Sequence, residues 1–459
     1  SFLKCPNVAY QQINLDFKLN IPNNINSVDT EIAIDLLKKI NIKPPISYKT
    51  HHSISNEWSI YRWSQYLGFK TSIDTEIEKS LYFQYLKTIY QIINIDKKSN
   101  FLVSDGNLLL IDDEEAKGWS DFFNKLKLPS SALKIESIGK SFKSLNSIDD
   151  IIAECQKKIR EFKPQTIILD LRLHDSDFEE DNSTELTGFK ILKKIKEEIN
   201  PGIQVILFTA SNKVWNYQAL NTIGFDGWIT KESPVLSVDA SFTAKAIKDL
   251  KNSISDCFNK KYLCKIYEEK EKLIKNIFSL AHDNFFKEQI KNHINLAYYL
   301  LSKADKKEQF AYAFVSLYMI IEIINNQFVV KTSNDNWVIN ITNENLLDWL
   351  YDKNTNSYIN TNTQVYGNKP PEWQKLAGLY YQSWNGQELN FIQKLYYLIL
   401  KRNGFIHNDY EILNKTKKDD KGNNILDNSG KPIFLNHDIY EPQGFINLFE
   451  VIKKIISFL

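Results

Sequence analysis

Arginine is scarce in this chain of 459 residues: of 57 basic residues only Arg62, Arg160, Arg172 and Arg402 are arginines. Lysine is a point charge on a flexible stem, so any position needing a planar, two-pronged donor has four candidates. Cysteine is scarce too, with Cys5, Cys155, Cys257 and Cys264 forming no CxxC pair. That excludes a disulfide scaffold and predicts buried thiols. Neither sign of charge is in excess: 57 basic against 56 acidic residues give a net charge of +1. The chain therefore lacks the overall positive field that drives nonspecific duplex binding, and any nucleic-acid contact has to be local. No run of about 18 apolar residues and no charged-then-apolar leader is present, which predicts no membrane contact and a cytoplasmic protein. No internal repeat of fixed period occurs.

What is present is the composition of an ordinary folded protein, 43% hydrophobic and 25% charged. The length predicts about two to four domains. Residues 1–100 read as a mostly helical domain, with helical spacing at Val28, Ile32, Ile34 and Leu37 and again at Leu81, Tyr85, Ile89 and Ile92. The sequence starts without Met, so this domain is expected to be incomplete. His51 and His52 are adjacent, point apart on any regular backbone and have no cluster to complete a metal site, so they read as structural.

Residues 105–255 change pattern to short apolar strands alternating with amphipathic helices. Strands are predicted at Asn107–Ile111, Leu133–Ile138, Thr166–Leu171, Ile203–Phe208 and Phe225–Thr230, with helices near 115–126, 147–162, 187–198, 213–222 and 239–258. The expected fold class is α/β plus all-α: a doubly wound, five-stranded parallel sheet here, and a helical domain over 260–459. In that last part Ala311, Phe314, Leu317, Tyr318, Ile321 and Ile324 share one helix face, as do Leu389, Ile392, Leu395, Tyr396 and Ile399. Segments 331–346 and 352–372 read as loops or insertions, and 419–431 carries the turn of a hairpin. Phe445–Leu459 is a closing helix whose polar face is too weakly basic for a membrane surface. His282-Asp283 stands alone and reads as surface text without a metal.

Ligands in a doubly wound sheet collect at the carboxyl ends of the strands. There the sequence places Asp112, Asp113 and Glu114, then Asp170, Thr209 and Lys231. Carboxylates from two neighbouring strand ends supply hard oxygen ligands for Mg²⁺, and a cation together with Lys231 offsets their mutual repulsion. A hydroxyl at Thr209 and the Lys231 ammonium suit the oxygens of a phosphoryl group on Asp170.

The segments LLLIDDEE, IILDLRL, VILFTAS and GWITK resemble the receiver domain of two-component response regulators, over roughly 150 residues. By that resemblance Asp170 is the phosphoacceptor, Asp112, Asp113 and Asp170 hold Mg²⁺, Thr209 and Lys231 sense the phosphate, and Trp228 is the aromatic switch. The implied phosphoryl source is a histidine kinase or another donor. Two features depart from the pattern: a long acidic insertion, HDSDFEEDNSTELTG, between Asp170 and Gly188, and the lack of a proline directly after Lys231, although Pro234 is near. The alternative is a degenerate receiver kept as a protein-binding module.

A second motif follows the run Leu389–Leu400: Lys401-Arg402-Asn403-Gly404-Phe405-Ile406-His407. Arg402 can grip a phosphate with two donors while His407, titrating near neutrality, moves a proton in phosphodiester cleavage. The R-N-x-x-x-H text in a helical domain of about 200 residues looks like the HEPN superfamily. That resemblance implies a metal-independent ribonuclease in which Arg402, Asn403 and His407 form half of a site completed in a homodimer or higher homo-oligomer, with RNA as substrate. Glu322, alone on an apolar helix, reads either as a supporting polar residue or as a satisfied buried carboxylate. A structural Arg/His cap is the competing account of the motif.

The combined expectation is a phosphorylation-regulated effector of defence or stress-toxin type. A non-enzymatic signalling adaptor is the alternative. A DNA-binding response regulator is disfavoured by the near-zero charge and the lack of a helix-turn-helix with an arginine-rich reading helix.

Overall fold

The computed structural model describes residues 51–90, 105–180, 182–210, 224–234, 240–303 and 307–331, short stretches between 333 and 432, and 442–457. The chain divides into two compact units, Ser1–Lys261 and Tyr262–Leu459.

In the first unit, β1 (Gly106–Ile111), β2 (Leu133–Ile138), β3 (Thr166–Leu169), β4 (Gln204–Thr209) and β5 (Gly227–Thr230) form one sheet in the order β2-β1-β3-β4-β5. All four pairings are parallel. β3 and β4 are buried along their whole length, which is why they read as unbroken apolar runs rather than alternating ones. The third strand stops at Leu169, two residues before its predicted end, although the Asp170 N–H still donates to the Ile111 carbonyl at 2.9 Å before the chain bends at Leu171. Trp119–Leu126, Ile148–Phe162, Thr187–Lys194 and Ala240–Asn259 are helices, the third running on as a π turn over Ile195–Ile199. The helix predicted at 213–222 lies outside the described residues.

Three further helices, α1 (His51–Leu67), α2 (Ile73–Lys79) and α3 (Leu81–Ile89), belong to the same unit. The four helices of the sheet are α4 (Trp119–Leu126), α5 (Ile148–Phe162), α6 (Thr187–Lys194) and α7 (Ala240–Asn259). Trp58, Trp63, Phe83 and Leu86 share one apolar cluster with Leu110, Ile168 and Phe208 of the sheet and Leu250 and Ile254 of α7. The stripe expected on α3 is displaced: Tyr82, Phe83 and Leu86 are buried, whereas Leu81 is 63% exposed. Leu81-Tyr82-Phe83 is apolar on two faces, so periodicity leaves the choice open, and stacking of Phe83 on Trp58 at 6.4 Å selects the buried one.

The second unit packs α8 (Tyr262–Phe278), α9 (Asn284–Ser302), α10 (Lys307–Phe328) and α11 (Pro442–Ile456) around one core. The face predicted on α10, from Ala311 to Ile324, is buried, and α11 contributes Phe445, Leu448, Phe449 and Ile452 to the core. Asp283 caps α9 by accepting from the Phe286 N–H at 2.9 Å, and the His282 ring packs edge-on against Phe286 and Phe328. Both are thus structural.

An all-helical second part needs correction. The segments read as loops hold β7 (Trp337–Ile339) and β9 (Ser357–Asn360), which pair antiparallel with β6 (Val329–Lys331) and β8 (Trp349–Asp352) at the segments' edges. Their Val, Trp, Tyr and Ile residues favour strands, and the asparagines between them favour turns. Within 419–431 and its edge, Leu426 and Pro432 form an isolated antiparallel bridge. The stripe 389–399 lies outside the described residues. Among the described residues no helix is long and apolar enough to cross a membrane.

Candidate functional site

Parallel pairing brings the carboxyl ends of β1, β3, β4 and β5 to one rim, and with them Asp112, Asp170, Thr209 and Lys231. Asp112, Asp113 and Asp170 each offer a carboxylate oxygen, all within 4.8 Å of one another. Asp112, Asp170 and Lys231 are each 0% exposed. The Lys231 ammonium donates to Asp112 Oδ2 at 2.8 Å and to Asp170 Oδ2 at 2.5 Å. The second oxygen of Asp112 accepts from the Glu114 N–H at 2.8 Å, and that of Asp170 from the Arg172 N–H at 3.3 Å. Thr209 is buried, and its carbonyl accepts from the Lys231 N–H at 2.8 Å, joining the two strand ends.

Burial disfavours the Lys231 charge, but Asp112 and Asp170 outweigh it, and the ammonium is held well above its usual range. The rings of Phe208 and Trp119 lie 4.8 and 5.8 Å from its nitrogen and supply further cation–π attraction. Three carboxylates against one ammonium leave two negative charges in a buried space. Hard oxygens with that residual charge fit a divalent ion such as Mg²⁺.

Two close approaches shape the rim. A side chain at Gly139 would put its Cβ 1.8 Å from the Asp112 carbonyl, and one at Gly188 would meet the Asp170 carbonyl at 2.2 Å. Gly188 also closes the acidic insertion, donating its N–H to the Leu171 carbonyl at 3.0 Å. Inside that insertion the buried Asp177 accepts from the N–H groups of Leu173, His174 and Thr187 at 2.8, 3.0 and 3.1 Å. One of its carboxylates thus organises the loop. Trp228 is half-buried on β5, its indole N–H donating to Thr230 Oγ1 at 3.1 Å.

In the second unit the Arg402 guanidinium is ion-paired with Glu322 of α10, donates to Asn403 Oδ1 at 2.9 Å and lies 5.6 Å over the Tyr318 ring. Glu322 is therefore a satisfied carboxylate. His407 lies outside the described residues.

No protein-family model and no curated protein matches this chain.

The structure thus brings together Asp112, Asp113, Asp170, Thr209 and Lys231, and separately Arg402, Asn403 and Glu322. Sequence reasoning missed the residues of α1 that reach the pocket's neighbours. Glu114 accepts from Ser53 Oγ at 2.7 Å and Asn56 Nδ2 at 2.6 Å. Glu232 accepts from Arg62 Nε and Trp63 Nε1, both at 3.1 Å. Arginine scarcity was the signal that singled out Arg62; nothing local connected it to Glu232.

Proposed function

We propose that the chain is a phosphorylation-regulated effector whose receiver-like pocket takes a phosphoryl group on Asp170 from a histidine kinase or another donor. The observation that carries this reading is the buried set of Asp112, Asp113, Asp170 and Lys231 at one sheet rim. An Asp170 oxygen attacks phosphorus, forming a P–O bond while the donor's bond to phosphorus breaks and its electron pair leaves with the donor. Mg²⁺, held by Asp112, Asp113 and Asp170, supplies charge neutralisation at the phosphoryl oxygens when bound. Lys231 exchanges one carboxylate contact for a phosphoryl oxygen, and the Thr209 hydroxyl takes another. Movement of Thr209 then changes the packing available to Trp228 on the neighbouring strand, which is the readout of the switch.

In this reading the second half is a HEPN-like, metal-independent endoribonuclease acting as a homo-oligomer in the cytoplasm. Arg402 grips the scissile phosphate with Asn403 beside it; the RNA 2′-hydroxyl gives its proton to His407 and attacks phosphorus while the P–O5′ bond breaks, leaving a cyclic phosphate and a 5′-oxygen that takes up a proton. The pairing of Arg402 with Glu322 favours a second reading. A guanidinium already neutralised by a carboxylate suits a binding module, and the chain would then be a signalling adaptor.

Labelled RNA incubated with the full chain, with and without acetyl phosphate and Mg²⁺, separates the two. The nuclease reading expects cleavage that His407→Ala abolishes, that acetyl phosphate changes, and that in Asp170→Asn no longer responds to acetyl phosphate. RNA left intact under every condition selects the adaptor.

A further inference from the structure

We propose that helix α1 is a positioning clamp for the acidic pocket: Arg62 and Trp63 hold Lys231 by way of Glu232, and Asn56 and Ser53 hold the Asp112-Asp113 turn by way of Glu114. The proposal rests on the reading of the pocket as a phosphoryl and Mg²⁺ site.

Neither carboxylate belongs to the pocket, yet each is bonded in sequence to a residue that does: Glu114 follows Asp113 and Glu232 follows Lys231. Glu232 is 0% exposed and Arg62 1%, so this is an ion pair removed from water. Such a pair stabilises little unless its geometry is closely satisfied. Here it is. Glu232 accepts from Arg62 Nε, from Trp63 Nε1 and from Thr243 Oγ1 at 3.0 Å, while its carbonyl accepts from Ser59 Oγ at 2.7 Å. At the other end Asn56 donates to Glu114 and accepts from the Trp119 indole N–H at 2.9 Å.

The geometry follows from a rigid helix. Positions 53, 56, 59 and 63 fall on one side of α1, and the rise from Asn56 to Trp63 spans about 10 Å. β1 and β5 lie three places apart in the sheet, roughly 14 Å at normal strand spacing. One helix therefore reaches the loops after both strands and sets the separation of Lys231 from the aspartates. That separation decides how tightly the carboxylates can close on a divalent ion.

The test is Mg²⁺ binding to the full-length chain by titration calorimetry, with unfolding followed in parallel. Trp63→Phe keeps an aromatic ring, a smaller one, and removes one donor to Glu232; Glu114→Gln keeps the shape and removes the charge that Asn56, Ser53 and Lys117 hold. Each is expected to raise the Mg²⁺ Kd about tenfold, and Arg62→Lys, which loses the planar fork, is expected to act in the same direction. A merely structural α1 would lower the unfolding midpoint and leave Kd unchanged, and that result overturns the proposal. Should Trp63→Phe fail to fold, Glu114→Gln decides. If the wild-type chain takes up no Mg²⁺, the pocket reading itself fails and the clamp with it; normal wild-type binding with unchanged variants sinks the clamp alone.

Discussion

Lys231 keeps its charge in complete burial because two carboxylates and two aromatic faces surround it. Other buried titratable groups have no such help. Burial pushes the thiols of Cys155 and Cys257 well above their usual range, and both, like Cys264, are buried, as their spacing in sequence predicted. Cys5 lies outside the described residues. His293 on α9, half-buried beside Ser316 Oγ at 3.4 Å, is held by burial below its ordinary value of 6.5. The unfolded chain then binds the proton more readily than the folded one, so the contribution of His293 to stability is complete above about pH 6.5 and lost as pH falls through the lower, folded value. Unfolding of the second unit measured at about pH 8 and about pH 5 should show a loss of stability in acid that is smaller in His293→Gln.

Among elements, the close contact between the end of β1 and the turn after β2 decides the shape of the rim. Gly139 has φ +154° and sits against the Asp112 carbonyl, a place where no side chain fits without moving backbone. Gly139→Ala should therefore displace the residues after β2 or the Asp112 turn, at a cost of about 1–3 kcal/mol. Denaturant unfolding checks the stability, and Mg²⁺ titration of the same variant should show weakened binding. The ribbons β6–β7 and β8–β9 make a different point: short strands turn expected loops into paired backbone, and Val329 of β6 joins the core of the second unit.

At the scale of the molecule, the two units each enclose their own apolar cluster. Calorimetry of the full chain should therefore depart from a single two-state transition. Mg²⁺ binds only the folded pocket in this account, so saturating ion should raise the transition of the first unit, by about 2.7 kcal/mol at a hundred times Kd, and leave that of the second in place. A single transition that ignores Mg²⁺ would contradict both the pocket and the independence of the cores.

The parallel sheet was legible because buried strands must be apolar throughout, and β1, β3 and β4 stand out as such runs between amphipathic helices. Asp112, Asp113, Asp170, Thr209 and Lys231 were legible because each follows or ends a strand, where parallel topology leaves only one rim. The sequence by itself determined which residues meet at that rim. It did not determine which elements share a core: that α1 stands against the sheet, with Arg62 on Glu232 across 170 positions, depends on long-range packing that no local period encodes. The buried face of α3 and the Arg402–Glu322 pair were likewise decided in three dimensions. The physical reason is that helix periodicity records which side of an element is apolar, while the partner that covers that side is selected by shape and by the satisfaction of buried charge.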